Sequence, residues 1–147
     1  RYQDFLGVNY YFANRFVGTK IDNSDFPVND LGWPMQPDKL GPLLVLLGEK
    51  YKRPVLVTES GVADAHDTHR KWWILEGVQS VRFAQKHGID MLGYIHWSLL
   101  DNFEWAEGFW PRFGLVEVDY TTGKRTIRKS ALWYGALIKK LEAGRHE

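Results

Sequence analysis

The sequence predicts an α/β fold in which helices cover a parallel sheet. Short apolar runs alternate three times with helix-like segments, in the order strand, loop, helix. This alternation predicts parallel strands, because a parallel pair needs a long crossover connection that is usually a helix. Polar and aromatic residues follow each run, as they do at the reactive face of a β/α barrel. Three units cannot close an eight-stranded barrel, so we expect an incomplete one. An open doubly wound sheet is the alternative.

The first unit begins with a strand predicted over residues 4–12, where apolar residues dominate. A polar loop punctuated by Pro and Gly follows, "DNSDFPVNDLGWPMQPD". The pattern over residues 37–51 then predicts a helix. Pro42 lies near its first turn, where a missing backbone N–H costs little.

The second unit begins with the strand "VLVT", residues 55–58, which ends directly before Glu59. A polar loop leads to a helix that we expect to be capped by Asp67 or Thr68 and to run to about His87. A glycine follows His87, as is common after the last turn of a helix.

The third unit begins with the buried strand "MLGYIHW", residues 91–97, and continues into a long aromatic and acidic loop. The segment "RFGLVEVDY" is predicted to be extended, and "TTGK" to be a turn. We interpret the basic run "KRTIRK" as a solvated turn and helix start. The last helix is predicted over residues 131–141.

Composition excludes several classes of function. The chain has 147 residues, 25% of them charged, with a formal net charge of +1, so we expect neither nucleic acid nor a membrane as partner. It has no cysteine and no apolar run of membrane-spanning length, and its first residues do not resemble a signal peptide. We therefore expect a cytoplasmic protein. No G-x-G-x-x-G segment follows a strand, so we expect no nucleotide cofactor.

Polar and aromatic side chains follow all three predicted strands, and a barrel would bring them to one rim. They are Asn9, Tyr10, Tyr11, Glu59, His96, Trp97, Asp101, Asn102, Glu104 and Trp105. Aromatic faces suit the C–H faces of sugars, while carboxylates and amides bind their hydroxyls. Retaining glycoside hydrolysis needs one carboxylate that attacks the anomeric carbon, and a neighbouring Tyr hydroxyl would favour its ionised form. We expect His96 to be packed at the strand end.

Three segments carry a resemblance to a known family: "DFLGVNYY", "LVTESG" and "GYIHWSLLDNFEWAEGFWPRFGLVEVDY". They resemble the C-terminal portion of glycoside hydrolase family 1, the β-glucosidase and β-galactosidase family. The resemblance implies that residues 1–147 are a C-terminal fragment of one TIM-barrel catalytic domain. It would hold strands six to eight of the (β/α)8 barrel with their helices, and would be incomplete by itself.

The resemblance also implies roles for individual residues. Glu59 matches the nucleophile of a retaining β-glycosidase, and Tyr11 matches the tyrosine that bonds it. The matching sugar-binding positions are Asn9 near the site, Trp97 under the sugar, Glu104 at the O4 and O6 hydroxyls, Trp105 at O3, Phe113 in the pocket lining and Trp33 at the aglycone entrance. The implied substrates are β-linked glucosides, galactosides or short oligosaccharides, with no cofactor and no metal.

Two departures from the family pattern matter. Ser60 stands where the family has asparagine after the nucleophile, and we expect it to tune activity without abolishing it. The N-E-P motif that carries the acid/base glutamate does not occur in the chain. We therefore expect the missing N-terminal part of the barrel to be a partner, without which the fragment is inactive. Such a fragment would also expose an apolar strand edge.

Other functions stay open on the sequence. A non-catalytic sugar-binding or structural fragment would keep the aromatic residues without the reaction. A 6-phospho-β-glycosidase is disfavoured, because Glu104 would repel a phosphate group. A thioglucosidase stays open, since its acid/base position lies outside this chain. His66 and His69 are three residues apart with no further set of ligands, which is weak evidence for a zinc site, and we expect them to lie in a solvated loop.

Overall fold

The computed structural model describes residues 3–144, which form three β-loop-α units around a parallel sheet. The elements in chain order are β1 (Leu6–Tyr10), β2 (Phe16–Val17), β3 (Lys20–Ile21), α1 (Leu40–Tyr51), β4 (Val55–Ser60), α2 (Arg70–Lys86), β5 (Met91–His96), β6 (Val116–Val118), β7 (Arg125–Ile127) and α3 (Lys129–Ala143). Short 3-10 turns cover Pro37–Lys39 and Trp105–Glu107. The three predicted strand–helix units are therefore present.

The main sheet contains β1, β4 and β5, side by side in the order in which they occur along the chain. Both pairings are parallel. This is the order of successive strands in a barrel, although each half of a doubly wound sheet has it too. Strand order alone therefore leaves both sequence-based alternatives in place.

The core lies between one face of this sheet and the helices α1 and α2. Its fully buried members include Leu40, Leu44, Val55, Val57 and Trp73. The burial pattern of β4 follows the period of two expected when one face of a strand is covered. Exposed apolar residues on the outer strands include Leu92 and Ile95, and Phe5 directly before β1 is also exposed.

Both outer strands have a free edge. Within residues 3–144, β1 and β5 each pair with β4 alone, so the far side of each presents unpaired backbone groups. The sequence led us to expect one exposed apolar edge, and the described chain has two. Free edges of this kind are pairing sites for further strands.

The segment after the third strand differs from the prediction. Only Val116–Val118 of "RFGLVEVDY" is a strand, and it pairs antiparallel with Arg125–Ile127. The interpretation of "KRTIRK" as a turn and helix start is therefore wrong for its central residues. The Asp119 carboxylate accepts the backbone N–H of Thr121 at 2.9 Å, and Gly123 has a φ of +72°, which together close a hairpin.

The second helix is capped by a residue that we did not predict. The carboxylate of Asp64 accepts the backbone N–H groups of Thr68 at 3.1 Å, His69 at 2.7 Å and Arg70 at 3.0 Å. These are N–H groups at the start of α2, which otherwise have no partner within the helix. The expectation that Asp67 or Thr68 caps α2 is therefore wrong.

Asp67 joins the starts of α2 and α3. It has a φ of +58° and accepts the backbone N–H of Ser130, in the first turn of α3, at 2.9 Å. It also pairs with the guanidinium of Arg70, which is fully buried. Burial on its own would raise the pKa of Asp67, but the hydrogen bonds from Ser130 and Arg70 hold it below the ordinary value of 3.8.

Replacing Asp67 with alanine should destabilise the protein at neutral pH by about 2 kcal/mol, somewhat less than the loss of a partner in a fully buried pair. The lowered pKa means that the stabilisation is present above pH ~4 and is lost as pH falls through the folded-state pKa. Chemical denaturation measures the free energy of unfolding of Asp67→Ala and of wild type. The difference between these two free energies should therefore become smaller as pH falls from 7 towards 3.

The matched control is Asp25→Ala, which removes an exposed partner of Arg15. Its denaturation midpoint should stay close to that of wild type. The role of Asp67 would be contradicted if Asp25→Ala lost as much stability as Asp67→Ala. It would also be contradicted if the stability difference between Asp67→Ala and wild type were the same at pH 7 and pH 3.

Candidate functional site

An extra residue in β4 determines where the carboxylate of Glu59 lies. β4 advances three residues between Val57 and Ser60, whereas β1 spans the same distance with residues 8–10 and β5 with residues 94–96. The additional residue is a bulge, which re-aims the side chains that follow it. Glu59 is half-buried at this point, where the strand ends.

Asn9 lies beside this bulge. Its register partner on β4 is Glu59, and its Oδ1 accepts the hydroxyl of Thr58 at 2.6 Å. Thr58 is the residue that the bulge leaves without a register partner on β1. The structure therefore places Asn9 next to Glu59, as the sequence predicted for a residue near the site.

Tyr11 donates a hydrogen bond from its hydroxyl to Oε2 of Glu59 at 2.6 Å. Burial raises the pKa of Tyr11 well above its usual range, and the bond to Glu59 and the charges of Glu59 and Glu104 raise it further. The phenol therefore keeps its proton at physiological pH. The expected contact between Tyr11 and Glu59 is present, and the contribution of Glu104 places a second carboxylate in the same neighbourhood.

Three aromatic rings form a wall behind this pair. Tyr11 meets Phe113 and Trp33 edge to face, each at 6.1 Å between ring centroids, and Trp33 lies 6.3 Å from Phe113. Phe113 is only 1% exposed, so its ring supports Tyr11 from behind. Trp33 is half-buried and holds the outer position in the wall.

The loop that presents Trp33 is organised by Asn29. Its Oδ1 accepts the backbone N–H groups of Leu31 at 2.9 Å and Trp33 at 3.1 Å, and Gly32 between them has a φ of +76°. Asp30 accepts the backbone N–H of Ala65 at 2.7 Å, which ties this loop to the one after β4.

Glu104 is oriented by Asn102. The Asn102 amide donates from Nδ2 to Oε2 of Glu104 at 3.2 Å, and the Ser98 hydroxyl lies 3.1 Å from its Oδ1. Trp105 follows with a φ of +48° and is 81% exposed. Its indole has no aromatic neighbour in the part of the chain that the structure describes. The structure thus places Glu104 near Tyr11 and leaves Trp105 projecting from the loop.

Trp97 is joined to the strand that carries Glu59. Its backbone N–H donates to the carbonyl of Ser60 at 2.9 Å, and its side chain is half-buried. The Trp97–Ser98 peptide bond is cis. A Cβ on Gly61 would lie 2.1 Å from the carbonyl oxygen of Trp97, so only glycine permits this approach.

Asp101 closes the loop that carries Trp97 and Glu104, a role that the sequence did not predict. Its Oδ1 accepts from the backbone N–H of Gly114 at 2.9 Å and from Arg128 at 3.0 Å. Its Oδ2 accepts the backbone N–H of Val118 at 3.2 Å. The carboxylate is fully buried. A carboxylate within "SLLDNF" was a visible signal, but these three partners lie 13 to 27 residues away.

His96 is buried at the end of β5, as the sequence predicted. Burial, together with the positive charge of Arg70, lowers the pKa of His96 to about 3, so the ring is neutral at physiological pH. It lies 6.4 Å from the rings of Tyr94 and Tyr134.

Among the described residues, no group of three or more His, Cys, Asp or Glu side chains could hold a metal ion. Across residues 3–144, none of the helices is both long enough and apolar enough to cross a membrane.

Comparisons with known proteins give one consistent result. The family model described as "Glycosyl hydrolase family 1" matches residues 2–143. A β-galactosidase from Sulfolobus acidocaldarius is 35% identical over 92% of this chain and 31% of its own length. β-Glucosidase A from Thermotoga maritima is 36% identical over 92% of this chain and 34% of its own.

A solved structure of the family 1 β-glucosidase from Thermotoga maritima, in complex with isofagomine lactam, superimposes with a TM-score of 0.85. It is 35% identical and matches 92% of this chain and 34% of that one. The chain therefore spans about a third of the length of the curated relatives it matches. This likeness supports a partial β/α barrel over an open doubly wound sheet.

Gly61→Ala should destabilise the protein by about 1–3 kcal/mol, because the new methyl group would have to displace the Trp97 carbonyl. Chemical denaturation measures the loss, and the intrinsic fluorescence of the native state should also change. The control is Gly135→Ala in α3, where a Cβ meets nothing within 4 Å, so this change should be neutral or slightly stabilising. Equal stability of the two variants would show that Gly61 has room for a side chain.

Proposed function

Because this chain belongs to glycosyl hydrolase family 1, we propose that it supplies one half of the active site of a retaining β-glycosidase. The proposed substrates are terminal β-linked glucosides, galactosides or short oligosaccharides. The observation that carries the proposal is the hydrogen bond from Tyr11 to Glu59 at the ends of two neighbouring parallel strands. A carboxylate with a dedicated phenol donor suits a nucleophile that must be ionised.

Glu59 acts as the nucleophile in this proposal. Tyr11 occupies Oε2, which leaves Oε1 free to attack the anomeric carbon. The attack forms a covalent glycosyl ester and breaks the glycosidic bond, and the aglycone leaves as an alcohol after it takes a proton from the second carboxyl group. Water then hydrolyses the ester with net retention. The high pKa of Tyr11 keeps the phenol a donor throughout, so it steadies the carboxylate both before attack and when the ester is released.

Recognition of the sugar falls to the residues around this pair. Oε2 of Glu104 is held by Asn102, and its Oε1 is free to accept hydrogen bonds from two neighbouring hydroxyls, O4 and O6. Trp97 offers an aromatic face to the sugar ring, and Asn9 offers an amide beside Glu59. Trp105 projects from the loop, where it could reach O3. These assignments are the predictions of the sequence.

The second carboxyl group comes, in this proposal, from polypeptide outside this chain. Retaining glycosidases hold their two carboxyl groups about 5–5.5 Å apart, one on each side of the scissile bond. Glu104 is committed to Asn102 and to sugar hydroxyls, so it does not fill that role. We propose that β1, β4 and β5 are strands six to eight of the barrel. The free edges of β1 and β5 would then pair with the remaining strands.

Two other activities fit less well. A purely sugar-binding fragment would need the aromatic residues but has no use for a phenol bonded to a carboxylate. A 6-phosphoglycosidase would bring a dianion to Glu104, where like charges repel. A neutral terminal sugar is therefore the substrate class that we propose.

Glu59→Gln should reduce hydrolysis of an aryl β-glucoside by at least about 10³-fold, because the amide cannot attack. The protein to use is the assembled enzyme, meaning this chain together with the polypeptide that completes the barrel. A 2-deoxy-2-fluoro-β-glucoside with a good leaving group should label the wild type. Mass spectrometry should locate the sugar on the peptide that contains Glu59.

The matched control is Glu107→Gln, in which an exposed glutamate bonded to Trp110 undergoes the same chemical change. It should retain hydrolysis within about two-fold and be labelled normally. Unchanged hydrolysis in Glu59→Gln, or a label on another carboxylate, would remove Glu59 from the nucleophile role.

The 147-residue chain, purified alone as a monomer, should hydrolyse the same aryl glucoside at least about 10²-fold more slowly than the assembled enzyme, since protonation of the leaving group is missing. Adding a companion polypeptide with the other strands should restore the rate in a concentration-dependent way. Full turnover by the isolated monomer would refute the proposal that the second carboxyl group lies outside the chain.

A further inference from the structure

The buried indole of Trp73 contacts the ends of two strands at once. Its N–H donates to the hydroxyl of Ser60, the last residue of β4, at 2.9 Å. Its ring stacks on Tyr10, the last residue of β1, with 6.2 Å between centroids and 26° between planes. Trp73 lies on α2 and is only 1% exposed, so this contact is on the helix side of the sheet.

The two residues that Trp73 holds are the immediate neighbours of the reacting pair. Tyr10 precedes Tyr11, and Ser60 follows Glu59. Side chains alternate between the two faces of a strand, so Tyr10 and Ser60 face α2 while Tyr11 and Glu59 lie on the other face. A shift of either strand end on the helix side would therefore move its neighbour on the reactive side.

The strand ladder alone does not secure this alignment. Pairing between β4 and both of its neighbours is interrupted at the bulge, and it resumes at Ser60, which is in register with Tyr10 and His96. Register is weakly specified where a ladder is irregular. The bond from Trp73 fixes Ser60 through its side chain, at the point where the backbone pairing restarts.

We propose that Trp73 and Ser60 form a clamp on the helix side of the sheet that sets the distance between Tyr11 and Glu59. The inference rests on the proposed function, since it assigns the clamp a part in the attack by Glu59. Neither residue touches the sugar, so both are positioning residues. The clamp predicts a reduced rate of attack with little change in binding when it is opened, because Glu104, the proposed ligand of the O4 and O6 hydroxyls, is oriented by Asn102 and not by the clamp.

Three variants of the assembled enzyme test the clamp. Trp73→Phe keeps a ring on Tyr10 and loses the N–H donor, whereas Ser60→Ala loses the hydroxyl acceptor. The third variant carries both changes. The measurement is the rate of covalent labelling by the 2-deoxy-2-fluoro-β-glucoside, separated into a maximal labelling rate and a concentration for half-maximal labelling. Each single variant should lower the maximal rate about ten-fold, as expected for a small misplacement of a reacting group. The half-maximal concentration should stay within about two-fold.

The double variant should be no slower than either single variant, since each change breaks the same hydrogen bond. The matched control is Trp72→Phe, the same substitution one residue earlier on α2 at a side chain that is 37% exposed. It should label at the wild-type rate. Additive losses, or an equal loss in Trp72→Phe, would mean that the indole of Trp73 acts only through general packing.

Ionisation of Tyr11 provides a second readout that does not need hydrolysis. Burial and Glu59 keep Tyr11 protonated far into the alkaline range. Opening the clamp should loosen this pair and allow Tyr11 to ionise at lower pH, closer to its ordinary pKa of about 10. NMR of tyrosine labelled with ¹³C at the ring Cζ follows this residue in wild type and variants.

The outcomes separate the two proposals. A wild-type enzyme that is never labelled at Glu59 refutes the proposed function, and the Tyr11 titration then still decides the clamp. Labelling at the wild-type rate in both single variants, with an unchanged Tyr11 titration, overturns the clamp and leaves the proposed function standing. A variant that fails to fold is replaced by the other single variant, since either one removes the bond.

Discussion

The candidate site depends on the one extra residue that β4 carries between Val57 and Ser60. In a regular strand, side chains two residues apart share a face, so Glu59 would lie with Val57 beneath the helices. The bulge shifts this parity by one residue, so that Ser60 packs against α2 and Glu59 emerges on the opposite face, within reach of Tyr11. The close approach of Gly61 to Trp97 follows from the same path of the chain. A single extra residue in the strand thus separates Ser60, which packs against α2, from the proposed nucleophile Glu59.

Three aspartates, of which Asp64 and Asp101 are buried and Asp67 is half-buried, hold the loops around this strand end. Asp64 caps α2, Asp67 binds the start of α3, and Asp101 gathers backbone N–H groups and Arg128 beneath the loop that carries Glu104. Each carboxylate meets several donors, which is the condition under which a buried charge is tolerated. The long loops therefore have fixed polar partners, although they contain little regular structure. This arrangement lets loop residues be placed as firmly as residues on strands.

The sequence allowed the three strand–helix units to be predicted, because periodicity is a local signal, whereas the Tyr11–Glu59 pair was predicted from the family resemblance. The likeness to family 1, which the comparisons confirm, aligned that pair across 48 residues. The bulge was not predictable, since it exists only relative to the register of two other strands. The role of Asp67 depends on Ser130, 63 residues away. The binding roles of Asn9, Trp97, Glu104 and Trp105 and the cytoplasmic location stay predictions.

The contact of Asp67 with α3 has a consequence for the order in which the chain folds. Ser130 is the one fully buried residue of α3, and its backbone N–H binds Asp67, so the tether lies at the most buried point of the helix. During synthesis Asp67 emerges long before α3, and the loop that holds it can settle first with Asp64 and Arg70. Closing a separation of 63 residues is entropically costly, so α3 is expected to dock late, onto a preformed anchor. We therefore expect α3 to form its contacts after the folding nucleus and not as part of it.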